Sequence, residues 1–218
     1  MNYRQELHTE LYYHIYNRTV GEVRPFTTDG EVANLLGRFK KLAVPYMDFL
    51  SYAIMANHYH LIVRTRPVDR ARIAQETTQI SKRYLAGELP YGHFLSDQIR
   101  RVQHGYAKRY NLKTQRIGAL WEARFKRVNI AEIAHLIRKI TYLHHNGIHH
   151  LGHTAYTDHP HTSYRAFLSD RPTLLDRSHV LDLFKQHDRR SGLDQFLEYH
   201  EAFRRDWRDD YDAMERLG

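Results

Sequence analysis

The chain has 218 residues, 42% apolar and 27% charged, enough to bury a full core as one domain with appendages or as two small ones. Cysteine is absent, which excludes disulfides and thiolate metal sites and leaves His, Asp, Glu or Asn as ligands. The net charge of +8 is uneven: residues 1–169 carry 24 basic and 13 acidic side chains, residues 170–218 carry 9 and 12, so a polyanionic partner is expected for the basic body.

No apolar run approaches the roughly 18 residues of a membrane span, and Met1-Asn2-Tyr3-Arg4-Gln5 has no signal-peptide pattern, so an intracellular protein without membrane contact is expected. Leu11 to Arg18, rich in aromatics, predicts a first strand. A polar loop with Pro25 and Asp29-Gly30 follows. Val32, Leu35, Leu36, Phe39 and Leu42 then repeat at helical spacing over Glu31 to Ala43, and Pro45 ends that helix. Phe49 to Met55 predicts a second strand, and Asn57 favours a tight turn into a third. There His58, His60 and Ile62 alternate with Tyr59, Leu61 and Val63, which sets both imidazoles on one sheet face.

Ile73 to Leu85 predicts a helix, with a loop at Gly87, Pro90 and Gly92. Asp97 to Tyr110 predicts another, from the spacing of Ile99, Val102, Tyr106 and Tyr110. Leu120 to Ile130 reads as a strand and Ala131 to Asn146 as the clearest helix. The order βαββαβ, then a helix, fits an α+β ferredoxin-like sandwich, an antiparallel sheet with helices on one face. After Gly147 the chain turns irregular and His-rich; the cluster His144, His145, His149, His150 and His153 could form an extra metal site but lacks one clean spacing, and reads as a solvent-exposed loop. Val180 to Gln186 and Leu193 to Met214 predict helices of a C-terminal extension. The expected division is 1–169 for the main domain and 170–218 for the acidic helical extension.

Two histidines at i and i+2 on a strand can share a metal ion, although in a chain with 17 histidines such pairs also arise by chance. On the helix over 131–146, Ile133, Leu136, Ile137, Ile140 and Leu143 form the core face. Tyr142 falls off that face with His135, Arg138, Lys139 and Asn146. Taken alone, Tyr142 is a surface tyrosine near a helix end, with Asn146-Gly147 as terminator. Taken with the His pair, it is a nucleophile able to form a phosphotyrosine, and Asn146, four residues on, offers an amide oxygen for a cation beside it.

The segments Tyr13-His14-Ile15-Tyr16-Asn17-Arg18, Asn57-His58-Tyr59-His60, Tyr106-Ala107-Lys108-Arg109-Tyr110-Asn111, Gly118 to Lys126, Tyr142-Leu143-His144-His145-Asn146 and Thr162-Ser163-Tyr164-Arg165 together resemble the REP-associated tyrosine transposases. That family is a branch of the single-tyrosine HUH nucleases. The resemblance spans roughly residues 11 to 168. It implies a catalytic tyrosine at Tyr142 and a divalent cation, Mg²⁺ or Mn²⁺, held by His58, His60 and Asn146. The implied activity is cleavage and rejoining of single-stranded DNA beside hairpin or palindromic elements, through a 5′-phosphotyrosine and a free 3′-OH. A cytoplasmic, nucleoid-associated bacterial protein is implied, as a monomer or a homodimer. One departure is Asn146-Gly147, where the family often has Asn-Pro; glycine is expected to end the helix there.

Arg138 and Lys139, within a turn of Tyr142, are candidate phenolate stabilisers. Nine basic residues against Glu122 between Arg100 and Arg127 suggest a phosphate track, in particular Arg100, Arg101, Lys108, Arg109, Arg124, Lys126 and Arg127. Trp121 and Phe125 fit either base stacking or core packing. The alternative function is a non-catalytic protein of the same fold that binds or regulates palindromic DNA.

Overall fold

The computed structural model describes residues 4–185 and 190–203. Strands β1 (Tyr12–Arg18), β2 (Met47–Ile54), β3 (His58–Thr65) and β4 (Lys126–Ile130) form one sheet in the order β2-β3-β1-β4, with every pairing antiparallel. With α1 (Asp29–Leu42) joining β1 to β2, and α2 (Arg70–Ala74), α3 (Gln79–Leu85) and α4 (Tyr91–Thr114) joining β3 to β4, this is the α+β ferredoxin-like sandwich expected from the sequence.

One face of the sheet is covered by α1 and α4. Tyr59 of β3 packs edge-on against Phe39 of α1 and accepts a hydrogen bond from Gln103 of α4 at 2.7 Å. Thr28 caps α1 through its side chain, Asp29 and Glu31 sit in its first turn, and Lys40 and Lys41 in its last, all favourable to the helix dipole. Glu31 also ties the two helices together. It accepts from Tyr106 (3.0 Å), Arg109 (2.8 Å) and Lys113 (2.7 Å) of α4. Burial pushes its carboxyl up, but those hydrogen bonds outweigh it and hold the group below the usual carboxylate range.

The expectation of helices on one face only does not hold: the other face is covered by α5 (Ile133–Leu151), which lies mainly on β2. The chain then runs through a 3-10 turn (Tyr156–Asp158), α6 (Tyr164–Phe167), α7 (Arg177–Phe184) and a helix over 192–203, here α8. Val180 and Phe184 of α7 and Phe196 and Phe203 of α8 join the main hydrophobic core. The expected helix beyond 203 lies outside the described residues.

Several boundaries differ from expectation. The region over 73–85 is two short helices, because Thr78 caps α3 by accepting from Ser81 N. Helix α4 begins at Tyr91 rather than Asp97. The strand over 120–130 is regular strand only from Lys126; its first half keeps an isolated antiparallel bridge from Trp121 to Thr19, and Trp121 Nε1 donates to Gln103 O of α4 at 3.0 Å. Most consequential, α5 does not stop at Gly147 but continues to Leu151, where Gly152 in the left-handed region ends it. His144 and His145 are therefore buried helix residues rather than parts of an exposed loop.

Candidate functional site

The site is built on β1 and β3, the two central strands. Register sets Tyr16 opposite His60 and Arg18 opposite His58. The period of two sends His14, Tyr16, His58 and His60 to the face beneath α5. The rings of His58 and His60 are 5.1 Å apart and perpendicular. The rings of His14, Tyr16 and His60 cluster, with His60 5.1 Å from His14 and 5.5 Å from Tyr16, and those two 4.7 Å apart; Lys126 of β4 lies 5.4 Å from the Tyr16 ring.

Both imidazoles are oriented through Nδ1. His58 Nδ1 is 2.8 Å from Asn57 Oδ1, which can only accept, so this nitrogen carries the proton and Nε2 keeps its lone pair. His60 Nδ1 is 2.9 Å from His14 Nε2. Burial, with His150 and Arg18 nearby, pushes His58 down to about 4; burial, with His14 and His58, holds His60 well below the usual imidazole range. A neutral imidazole with its second nitrogen tied to a partner is the state in which histidine binds a metal.

The pair opens into a cleft of about 560 Å³ lined by Tyr16, Asn17, Arg18, Asn57, Glu122, Ala123, Arg124, Lys126 and His150. Three cations against one carboxylate suit an anionic ligand such as a phosphodiester. No group of three His, Asp or Glu side chains among the described residues converges tightly enough to hold a metal, so any third ligand to the pair would have to be of another type.

Asn146 is such a residue. It is fully buried on α5, and neither Oδ1 nor Nδ2 has a hydrogen-bond partner. An unpartnered buried carboxamide costs about 1–3 kcal/mol per group, which a cation on Oδ1 would partly offset. Lys139 and His150 share its side of the helix; His150 comes within 5.9 Å of the His58 ring, and Lys139 is close enough to bias the charge of His60 and His14. His58, His60 and Asn146 thus fit a hard or borderline divalent ion by donor type.

Tyr142 is buried on α5, 6% exposed, and stacks on His149 at 5.6 Å. Neither Tyr142 nor Asn146 is among the described residues lining the His-pair cleft. Lys139 Nζ lies 5.1 Å from the Tyr142 ring centre, and burial pushes its ammonium down to about 8. Arg138 is exposed.

The basic residues divide. Arg124 and Lys126 line the cleft, and Arg124 also borders two neighbouring clefts, one shared with Arg100 and Lys108, the other with Arg100 and Arg127. Arg109 is committed to Glu31, Arg101 to Glu76 and Gln98, and Arg100 to Asp97. Trp121 packs against Tyr59 and Phe26 and Phe125 is buried, so both are packing residues here.

His14, Asn57, Arg18 and His150 were missed as site residues. The ferredoxin-like order places β1 beside β3, so the alternation His14-Tyr16-Arg18 was the available signal for the first strand. His150 was hidden by ending the helix at Asn146, five residues early.

No protein-family model matches the chain, and no curated protein matches it. Among solved structures, the chain is similar to a REP-associated tyrosine transposase bound to a REP hairpin, at a TM-score of 0.54 and 12% identity over 81% of this chain and 94% of that one. A bacterial tRNA(His) guanylyltransferase-like protein in complex with GTP aligns with a TM-score of only 0.37 and 11% identity, over 69% of this chain and 72% of that one, too weak to indicate a shared fold. The chain has the four-stranded antiparallel α+β fold seen in that tyrosine transposase.

Proposed function

We propose that the protein is a cation-dependent single-stranded DNA endonuclease and strand transferase that acts beside hairpins. The observation that carries the reading is the His58–His60 pair, each ring held through Nδ1, at a cleft lined by Arg18, Arg124 and Lys126. The fold shared with a transposase bound to a REP hairpin supports it.

His58, His60 and Asn146 would hold the ion, Mg²⁺ or Mn²⁺, which when bound supplies positive charge against a phosphate oxygen. Arg18, Arg124 and Lys126 bind the flanking phosphates and aim the strand. Tyr142 Oη gives up its proton to solvent and bonds to phosphorus as the bond from phosphorus to the 3′ oxygen breaks. That oxygen takes up a proton as the free 3′-OH, leaving a 5′-phosphotyrosine. Lys139 lowers the cost of the phenolate by its charge next to the ring, with Arg138 as the more exposed second cation. Attack by a 3′-OH on the phosphotyrosine reverses the chemistry and rejoins strands.

A second reading, a DNA-binding protein of this fold without catalysis, is favoured by the burial of Tyr142 outside the cleft lining. Incubating the full chain with hairpin-bearing oligonucleotides, with and without Mn²⁺, separates the two on native and denaturing gels. A cation-dependent covalent adduct supports the endonuclease; binding with no adduct supports the second reading.

A further inference from the structure

The most exposed large apolar side chains of the described protein are not near the His pair. They are Leu112, 80% exposed in the last turn of α4, and Ile117, 95% exposed in the loop that follows. An isoleucine held in water is ordinary in a mobile loop, but this loop is latched. Gln115 takes the left-handed conformation (φ 53°) as the C-cap of α4, with its N–H on Asn111 O. Arg116 N also donates to Asn111 O at 2.9 Å, and Asn111 Nδ2 donates to Gly118 O at 2.9 Å. Gly118 sits at φ 97°, where a side chain would be strained, so the sequence Gln-Arg-Ile-Gly makes the tight turn at its last residue. Ile117 is therefore presented at the apex of a braced turn.

Its surroundings are cationic and open onto a groove. Directly behind the turn, Arg100, Gln103, His104, Ala107, Lys108 and Asn111 form one stripe of α4 facing the segment Gly118 to Arg124 across a cleft of about 420 Å³. Arg124 and Ala123 line both this cleft and the one holding the His pair, so the two adjoin. Arg116, which donates to Gly118 O, flanks the apex, Lys108 lines the cleft behind it, and Glu122 is the sole acid between Arg100 and Arg127. This charge disfavours a second copy of the same basic surface and suits a polyanion.

We infer that Ile117 is a wedge that stacks against the terminal base pair of a DNA hairpin, while the unpaired strand leaving that pair runs through the α4 cleft towards the His pair. Apolar side chains at the edge of a basic surface are the groups proteins use to unstack a base step, and unpaired bases beyond it expose faces that a shallow cleft can cover. The inference rests on the DNA-processing reading and adds where duplex gives way to single strand.

The test compares two oligonucleotides on the full chain: a hairpin with a single-stranded tail, carrying 2-aminopurine in the last base pair, and an unstructured strand of equal length. Wild-type protein is expected to raise the 2-aminopurine fluorescence. Ile117→Ser, a substitution at a solvated position, is expected to abolish the rise and weaken hairpin binding by about five- to tenfold, with single-strand binding unchanged and Ile117→Leu close to wild type. Hairpin binding and fluorescence indifferent to Ile117→Ser would overturn the wedge alone. So would equal weakening on both oligonucleotides, or a change confined to self-association in sedimentation, which would assign Ile117 to a contact between copies. Failure of wild-type protein to bind either DNA would overturn the DNA-processing reading and the wedge with it.

Discussion

At the scale of single residues, the most informative contact is the one between His14 and His60. It fixes the ring that must present Nε2, and β1 supplies it from the strand next door. His14→Phe keeps the ring stack but removes the nitrogen partner. Loss of such an outer hydrogen bond typically lowers metal affinity 10- to 100-fold, so Mn²⁺ titration by calorimetry is expected to show a drop of about that size with the fold intact by circular dichroism. Lys139 makes a second prediction. Its charge is fully present below its depressed pKa of about 8 and is lost above it. If that charge supports the Tyr142 phenolate, Lys139→Met lowers the cleavage rate about 10- to 100-fold at pH 7, and the break near pH 8 in the wild-type rate profile disappears. A variant with an unchanged profile would remove Lys139 from the chemistry.

At the scale of elements, α5 carries most of what the sequence concealed. Its apolar spacing announced the helix, and Leu136, Ile140 and Leu143 are buried as expected, but Ile133 is exposed at the N-terminus. Its end was misread because Asn-Gly is a common terminator, whereas here Gly147 serves close packing. A Cβ there would meet His159 Cβ at 2.6 Å and His153 Cδ2 at 2.9 Å. Gly147→Val is therefore expected to destabilise the protein by about 1–3 kcal/mol by overpacking, seen as a lower Tm, despite valine's better helix propensity. The β-strands were legible because alternation reports directly on a two-faced sheet: His58 and His60 fell on one face as their spacing required. The start of β4 was not, because its pairing with β1 slips by two residues between Tyr16–Lys126 and Thr19–Trp121, so that 120–122 keeps only an isolated bridge. The side of α5 that carries Tyr142 was likewise legible in its periodicity, but its burial was not, since His149, which stacks on it, belongs to the turn of α5 beyond the expected end.

At the scale of the whole molecule, two long-range polar devices join the layers, and both respond to acid. Glu31 locks α1 to α4 on one face. On the other, His200 of α8 donates from Nδ1 to Phe196 O and so accepts from His144 Nδ1, while His144 Nε2 accepts from Ser163 at 2.7 Å. Burial, then the neighbouring His145, pushes His200 down to about 3. A group with a folded pKa below its unfolded one contributes stability that is fully present above the unfolded value, about 6.5 for His, and erodes as pH falls towards the folded value. Glu31 follows the same sign in the lower window, below its usual 4.5. Urea midpoints are thus expected to fall progressively from pH 6.5 downwards, and His200→Phe to flatten the upper part of that fall. A midpoint constant between pH 6.5 and 5 would contradict the assignment.

The proposed endonuclease joins the histidine pair on β3 to a tyrosine on α5, more than eighty residues away in the chain. The most direct measurement is mass-spectrometric mapping of the peptide that becomes linked to a hairpin-bearing oligonucleotide in Mn²⁺. The expected result is a nucleotide phosphate on the peptide containing Tyr142, absent in EDTA and absent from Tyr142→Phe. Linkage to another tyrosine, or cleaved DNA with no protein adduct at all, would contradict it.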